Sequence, residues 1–263
     1  MEDVANGGQM RRSDRRVKEE LQSSHEAAAI RRRLSRQHKP SYLADSVLGS
    51  IDGCVTTFAV VAAAVGAGFS GVVAIVFGFA NMLADGFSMA VSNYQARQVE
   101  KEHANVAWRE EERHIDTIPD GEREEIRQIF IKKGFSGETL ENIVTTICSD
   151  RRLWLSTMVT EEHGIRGVLS SPLWAALATF AAFIGAGAVP LIPLFFTALP
   201  LSTQFTISIV LAGLIFFSIG LIKGVVLGYR ILYSGFSTLL TGGLAAALAY
   251  FSAHWLRMAF GIS

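Results

Sequence analysis

The chain has little cysteine and, over most of its length, almost no charge. Its two cysteines, Cys54 and Cys148, are too few for a disulfide framework. Outside residues 1–41 and 97–169, the only Lys, Arg, Asp and Glu side chains are Lys223, Arg230, Arg257, Asp45, Asp52 and Asp85. A soluble protein distributes charge along its whole length. This segregation therefore excludes an ordinary soluble domain and indicates an integral membrane protein with two aqueous segments.

Five apolar stretches separate these charged blocks. They cover about residues 42–67, 72–94, 172–196, 205–227 and 236–258. Each exceeds the roughly 20 residues that a helix needs to cross the hydrocarbon core. The sequence therefore predicts an all-α integral membrane protein with five transmembrane helices and a helical insert between helices 2 and 3.

Four segments follow from this pattern. Residues 1–40 form a basic arm, which we expect to be disordered beside an anionic membrane surface. Residues 41–96 hold helices 1 and 2, residues 97–169 form the insert, and residues 170–263 hold helices 3 to 5. The insert reads as four helices, the first continuing out of helix 2, with a break at Pro119-Asp120-Gly121 and the last running from Asp150 to Gly164.

The distribution of basic residues predicts the orientation. The loops between helices 1 and 2 and between helices 3 and 4 carry no charge, whereas the arm, the insert and the turn with Lys223 and Arg230 share the other side. The positive-inside rule then places the N-terminus and the insert in the cytosol. A bacterial inner membrane and a vacuolar membrane are equally compatible with this pattern.

Two carboxylates fall inside the apolar stretches, where an unpaired charge is costly and commonly functional. Asp85 shares a helical face with Asn81 and Met89, at spacings of i, i+4 and i+8. Asp52 is followed by Gly53, which allows a neighbouring backbone to approach closely. These residues suggest a path for a cation. The alternative is structural: Asp52 accepts a hydrogen bond between helices, and Asp85 is satisfied by polar neighbours on its own helix.

The insert offers three pairs of ligand-type residues at helical spacing. They are Glu111 with His114, Glu122 with Glu125, and Met158 with Glu162. Carboxylate and imidazole suit Fe(II), Mn(II) or Zn(II), and a thioether favours iron over magnesium or calcium. A single such pair on a surface helix is usually a solvated face. Three such pairs on successive helices strengthen the case for a metal site.

The chain resembles the vacuolar iron transporter family in its motifs. The resemblance rests on Asp52-Gly53, on the run from Gly78 to Met89, on Trp154 to Met158 and on Glu162-His163-Gly164. It covers about residues 41–260, in order. It implies a homodimer that exports Fe(II), and often Mn(II), from the cytosol in exchange for protons.

Individual roles also follow from the resemblance. It places Asp52 and Met89 in the transport path, and Glu111, His114, Glu122, Glu125, Met158 and Glu162 in a cytosolic metal-collecting domain. It also implies a glutamate where this chain has Asn81 and another where it has His114. Asp85 lies one turn from Asn81, which leaves open whether its carboxylate replaces the missing one. Val159 occupies a further ligand position that valine cannot serve.

We therefore expect a transporter rather than an enzyme, with Fe(II) or Mn(II) as substrate and no permanent cofactor. Zn(II) and Co(II) are further candidates for the insert. The expected partners are divalent transition-metal ions, protons, the lipid bilayer and a second copy of the chain, with no nucleic acid. Two alternatives stay open. One is a membrane-anchored ferroxidase, because Glu111-x-x-His114 has the form found in di-iron bundles, and the other is a metal sensor without transport.

Overall fold

The computed structural model describes residues 17–35, 41–165, 170–228 and 230–261. The chain divides into two compact units, Met1–Lys39 and Pro40–Ser263. In the first unit, residues 17–24 (α1) and Ala27–Ser35 (α2) are helical. We predicted a disordered arm here; alanine, leucine and arginine favour the helix that the structure has instead in α2. Residues 1–16 and 36–40 of that arm lie outside the described residues.

In the described part of the second unit, every regular element is a helix. Its elements are α3 (Leu43–Gly66), α4 (Gly71–Thr117), α5 (Pro119–Lys132), α6 (Gly137–Ser149), α7 (Arg151–Glu161), α8 (Pro172–Ala188), a 3₁₀ helix (Val189–Phe195), α9 (Leu201–Leu227) and α10 (Ile231–Phe260). Five segments are long and apolar enough to span a membrane: α3, α4, α8 with the 3₁₀ helix, α9 and α10. The predicted all-α class with five spans is confirmed.

Helix α3 lies at the centre of the spanning helices and packs against α4, α8, α9 and α10. Two glycines make its contact with α8 a backbone contact. A Cβ atom built on Gly53 would lie 2.3 Å from the carbonyl oxygen of Phe183, and one on Gly49 would lie 2.3 Å from that of Thr179. Small residues permit such close packing between membrane helices. The glycine after Asp52 therefore sets the position of that aspartate against α8.

Replacing Gly53 with alanine should destabilise the protein strongly. The added methyl group would overlap backbone atoms of α8, which cannot rotate away, and overpacking of this kind costs about 3 kcal/mol or more. Gly185 on α8 is the matched control, because no atom lies within 4 Å of its virtual Cβ. Thermal unfolding of the detergent-solubilised protein should show a much lower melting temperature for G53A and an unchanged one for G185A. Equal melting temperatures for the two variants would contradict the close packing.

The insert is a four-helix bundle built from the end of α4 and from α5, α6 and α7. Its buried core comprises Ile115, Ile126, Leu140, Val144, Ile147, Trp154, Leu155 and Met158. As predicted, α4 continues without a break from the membrane segment into this bundle. The predicted break between the first two insert helices is confirmed, since α4 ends at Thr117 and α5 begins at Pro119. Pro119, Asp120 and Gly121 belong to the first turn of α5, because proline fits the first position of a helix.

The last insert helix is shorter than predicted. Asp150 caps α7 as expected, accepting hydrogen bonds from the backbone N–H groups of Arg152 and Leu153. The helix ends at Glu161 rather than at Gly164, and Gly164 has a φ of +69° that departs from helical geometry. Glu162 and His163 therefore lie in the turn that follows α7, where the directions of their side chains do not follow the periodicity of the helix.

A buried ion pair ties the spanning helices together at the insert end. Asp45 on α3 is 2 % exposed, and its Oδ1 lies 3.0 Å from Nη2 of Arg97 on α4. Asn93 donates hydrogen bonds to Asp45 at 2.9 Å and to Thr179 on α8 at 2.7 Å. Asp45 is thus part of the packing of α3, α4 and α8.

Candidate metal site

Two glutamates are buried inside the insert, on helices that face each other. Glu111 on α4 is 2 % exposed and Glu122 on α5 is 1 % exposed. Glu111 shares its helix face with the core residue Ile115, and Glu122 shares its own with Ile126, each at a spacing of i, i+4. The periodicity that buries the hydrophobic core therefore also buries these two carboxylates at its edge.

Two histidines complete groups of potential ligands around Glu111. One group is Glu111, His114 and Glu122, and the other is Glu111, Glu162 and His163; within each, one ligand atom per residue lies within 4.8 Å of the others. Nδ1 of His114 lies 3.5 Å from Oε1 of Glu122. Nε2 of His163 lies 2.9 Å from Oε1 of Glu111. Glu111 belongs to both groups, so the two share one carboxylate.

The carboxylates of the site lack the lysine and arginine partners that other acids of the insert have. On the surface, Arg151 pairs with Asp116 at 2.6 Å, Lys133 pairs with Glu161 at 2.8 Å, and Arg127 pairs with Glu141 at 2.8 Å. In the described part of the chain, no lysine or arginine forms an ion pair with Glu111, Glu122, Glu125 or Glu162. One carboxylate oxygen each of Glu111 and Glu122 is buried without a hydrogen-bond partner. Such oxygens are costly unless a cation joins them.

Proton affinities in the site reflect this excess of negative charge. Burial, followed by the charges of Glu125 and Glu111, raises the pKa of Glu122 to about 7. Burial, with the charges of Glu111 and Glu125, also raises the pKa of Glu162. The hydrogen bond to Glu111 raises the pKa of His163. Near neutral pH the metal-free site therefore retains protons that a bound cation would displace.

The metal-free insert should lose stability as the pH rises from about 5 to about 8. In that interval the unfolded chain has already released the proton of Glu122, whose ordinary pKa is 4.5, while the folded chain retains it up to about 7. The unfolded state then binds fewer protons, so the free energy of unfolding falls with pH. Glu162 and His163 act in the same direction, because their pKa values are also raised in the folded state.

Thermal unfolding of chelator-treated protein at these two pH values measures the effect. The exposed acids Asp116, Glu124 and Glu141 have lowered pKa values, so their contribution changes only below about pH 5 and does not mask it. The E122Q variant is the control and should show a weaker pH dependence. A metal-free protein that melts higher at pH 8 than at pH 5 would contradict the assignment.

The structure brings most of the sequence-predicted ligands together. Glu111, His114, Glu122 and Glu162 lie in the two groups, and the charge of exposed Glu125 acts on Glu122 and Glu162. Met158 is fully buried in the hydrophobic core. The predicted ligand set does not include His163. Its position directly after Glu162 is the feature of the sequence that could have indicated it.

The predicted membrane residues also lie near one another. Asn81 donates a hydrogen bond of 3.1 Å to Oδ2 of Asp85, and Asp85 is close enough for its charge to act on Asp52. Met89, two turns further along α4 from Asn81, packs at the edge of the core formed around Phe183. Asp52, Asn81, Asp85 and Met89 are all half-buried in the single chain. This polar surface, the membrane stripe, lies on α3 and α4.

Comparisons with known proteins identify the family of the chain. The model of the VIT family matches residues 43–254. The chain is 31 % identical to vacuolar iron transporter 2 of Oryza sativa subsp. japonica, over 78 % of this chain and 84 % of that protein. It is 29 % identical to the vacuolar iron transporter of Centaurea cyanus, over 78 % of this chain and 84 % of that protein. It is 28 % identical to the vacuolar iron transporter of Toxoplasma gondii, over 88 % of this chain and 82 % of that protein.

Proposed function

The chain belongs to the VIT family, and from this premise we propose that it is a proton-coupled transporter of Fe(II), Mn(II) or both. It moves the ion out of the cytosol, into a vacuole-like lumen or to the cell exterior. The names of the relatives, which are iron transporters, support the metal ion as substrate. The insert collects the ion, and the membrane stripe passes it across.

The observation that carries this proposal is that one continuous helix bears residues of both sites. Helix α4 runs from Gly71 to Thr117 and holds Asn81, Asp85 and Met89 near one end and Glu111 and His114 near the other. The 22 residues from Met89 to Glu111 correspond to about 33 Å along a helix. A metal-binding bundle thus stands on the same rigid element that contributes most of the stripe.

Metal ions and protons compete for the same carboxylates, and this competition would couple their movement. An ion that binds the insert displaces the proton that Glu122, with a pKa of about 7, retains near neutral pH. Within the membrane, protonation of Asp52 or Asp85 from the far side would neutralise a ligand and release the ion. The imidazole groups of His114 and His163 favour Fe(II) over Mn(II) in intrinsic affinity.

The proposal includes an orientation and a homodimer. The concentration of basic residues in the arm and insert supports a cytosolic position for both. The half-burial of Asp52, Asn81, Asp85 and Met89 supports a second copy, since a polar surface in hydrocarbon needs a covering partner. Chemical cross-linking of the protein in liposomes through a cysteine introduced beside Asp52 would detect that copy.

Uptake into proteoliposomes tests the transport proposal. We expect Fe(II) and Mn(II) to accumulate in vesicles that contain the protein and not in matched vesicles without it. Zn(II) and Co(II) should compete with Fe(II) for the insert, because both accept carboxylate and imidazole. Vesicles that retain bound metal on the protein but take up none would contradict transport and leave a metal sensor.

One observation favours a ferroxidase as a second candidate. Glu111-x-x-His114 is the di-iron motif, and Glu111 lies between two groups of ligands as a bridging carboxylate does. Adding Fe(II) to the full-length protein in air distinguishes the two functions. Repeated turnover with oxygen consumption would support the ferroxidase, whereas uptake of Fe(II) without oxygen consumption would exclude it.

A further inference from the structure

We propose that the turn between α9 and α10 holds a binding site for the phosphate headgroup of an anionic phospholipid. An open cavity of about 410 Å³ lies there, lined by Lys223, Arg230, Tyr233, Ser234 and Ser237. Two cations, a phenol and two hydroxyl groups can all donate hydrogen bonds to phosphate oxygens. The cavity shares no residue with the insert or the membrane stripe, so the inference stands independently of the transport proposed above.

The cavity lies at the end of the spanning helices that bears the insert. The other end is marked by the loop between α3 and α4, where a Cβ atom built on Gly68 would lie 2.5 Å from Nη1 of Arg257, near the end of α10. The start of α10 and the end of α9 are therefore on the insert side. Lys223 lies about 33 Å along α9 from its first residue, Leu201. That length matches the thickness of the hydrocarbon core, so Lys223 lies at the level of the lipid headgroups.

The two cations of this cavity have no counter-charge from neighbouring elements. Residues 170–263, which include α8, α9 and α10, contain no aspartate or glutamate. In the part of the chain that the structure describes, neither Lys223 nor Arg230 forms an ion pair, whereas Arg97 on the same side is paired with Asp45. An anionic ligand would supply the missing charge. Phosphate suits both the point charge of lysine and the planar fork of arginine.

Close packing of α9 against α10 brings the two cations to one cavity. A Cβ atom built on Gly224 would lie 2.8 Å from Cα of Ile231. Lys223 directly precedes this glycine and Arg230 directly precedes this isoleucine, so each cation is next to a contact between the helix backbones. The rigid contact therefore fixes the separation of the two backbone positions that carry the positive charges.

An apolar groove on the same face of α10 favours a lipid over a soluble phosphate. Tyr233, Ser237, Leu240 and Leu244 recur at spacings of i, i+4, i+7 and i+11, so they share one face of this helix. Leu240 and Leu244 line a second cavity of about 540 Å³, together with Phe236. A headgroup held in the first cavity would thus place its acyl chains along an apolar groove.

The alternative is that Lys223 and Arg230 only set the orientation of the chain in the membrane. That role explains their charge and their side of the membrane. It does not explain a cavity that they share with hydroxyl groups, in line with an apolar groove. Variants that keep both charges and remove the hydroxyl groups therefore separate the two explanations.

Native mass spectrometry of the full-length protein in neutral detergent, titrated with phosphatidylglycerol or phosphatidylcholine, tests the proposal. We expect the wild type to bind phosphatidylglycerol more tightly than phosphatidylcholine. A basic side chain near an anionic lipid contributes about fivefold to binding, so K223Q and R230Q should each weaken phosphatidylglycerol binding about fivefold. The variant Y233F/S237A retains both charges and should also weaken it by about fivefold or more, because it removes hydrogen bonds to a charged group.

Lys101, an exposed lysine on α4 one turn beyond Arg97, gives the matched control K101Q, which should bind both lipids as the wild type does. Equal binding of the two lipids by the wild type would overturn the proposal. So would an equal loss in K101Q and K223Q with no loss in Y233F/S237A, because the effect would then be one of surface charge alone. Glycerol phosphate, which has the phosphate without acyl chains, should displace the lipid only weakly. If it bound as tightly as phosphatidylglycerol, the ligand would be a soluble phosphate and the lipid assignment would be wrong.

Discussion

Replacing Glu111 with glutamine should abolish tight metal binding by the insert and yet stabilise the metal-free protein. Glu111 belongs to both ligand groups, so its loss affects both at once. Changes around metal ligands lower affinity by about 10- to 100-fold, and we expect a loss of about 100-fold or more for a shared ligand. In the metal-free state the same substitution removes a buried charge that repels Glu122 and Glu162.

Calorimetric titration with Mn(II) and thermal unfolding in the presence of chelator measure the two effects. Glu112 is the matched control: it is the next residue of α4, is exposed, and lies 3.8 Å from Arg151. The E112Q variant should bind Mn(II) as the wild type does and melt at or slightly below its temperature. If E111Q bound Mn(II) normally, or melted lower than the wild type without metal, Glu111 would be a structural residue.

Replacing Asp52 with asparagine should stop transport and leave metal binding at the insert intact. The substitution preserves size, so the close contact of Gly53 with Phe183 is retained. It removes the charge of the carboxylate and its capacity to exchange a proton. By analogy with changes around metal ligands, we expect metal flux to fall by about 100-fold, while calorimetry on the same protein shows an unchanged insert.

Asp85 is the comparison for this prediction. Its Oδ2 accepts a hydrogen bond from Asn81 on the same helix. Part of the hydrogen-bonding capacity of this carboxylate is therefore used within α4. The D85N variant should therefore lose less flux than D52N. The double variant N81E/D85G, which moves the carboxylate by one turn, should retain flux if Asp85 supplies the carboxylate of the stripe. Unchanged Fe(II) flux in D52N would remove Asp52 from the path.

The sequence predicted the parts of the structure that depend on local pattern. Long uncharged stretches predict the five spans, because the hydrocarbon core imposes a minimum length. Spacings of i, i+3 predict that Glu111 and His114 share a helix face. The burial of Glu111 and Glu122 is also indicated by the sequence, since Ile115 and Ile126 mark the core sides of their helices.

Features that depend on contacts between distant segments were not predicted. The pair of Asp45 with Arg97 joins residues 52 positions apart, and nothing along either helix indicates it. His163 lies beyond the end of α7, so no helical spacing relates it to Glu111. The strongly charged composition of the arm predicts disorder, whereas the helix propensity of the residues in Ala27–Ser35 favours the helix that the structure has.

The most direct test of proton-coupled metal transport is simultaneous measurement of Fe(II) uptake and internal pH in proteoliposomes. With an acidic interior, the wild-type protein should accumulate Fe(II) while the interior becomes more alkaline. Dissipating the pH gradient should reduce uptake, and D52N should abolish both signals. Fe(II) uptake that proceeds at the same rate without a gradient, and with no change of internal pH, would contradict the proposed coupling.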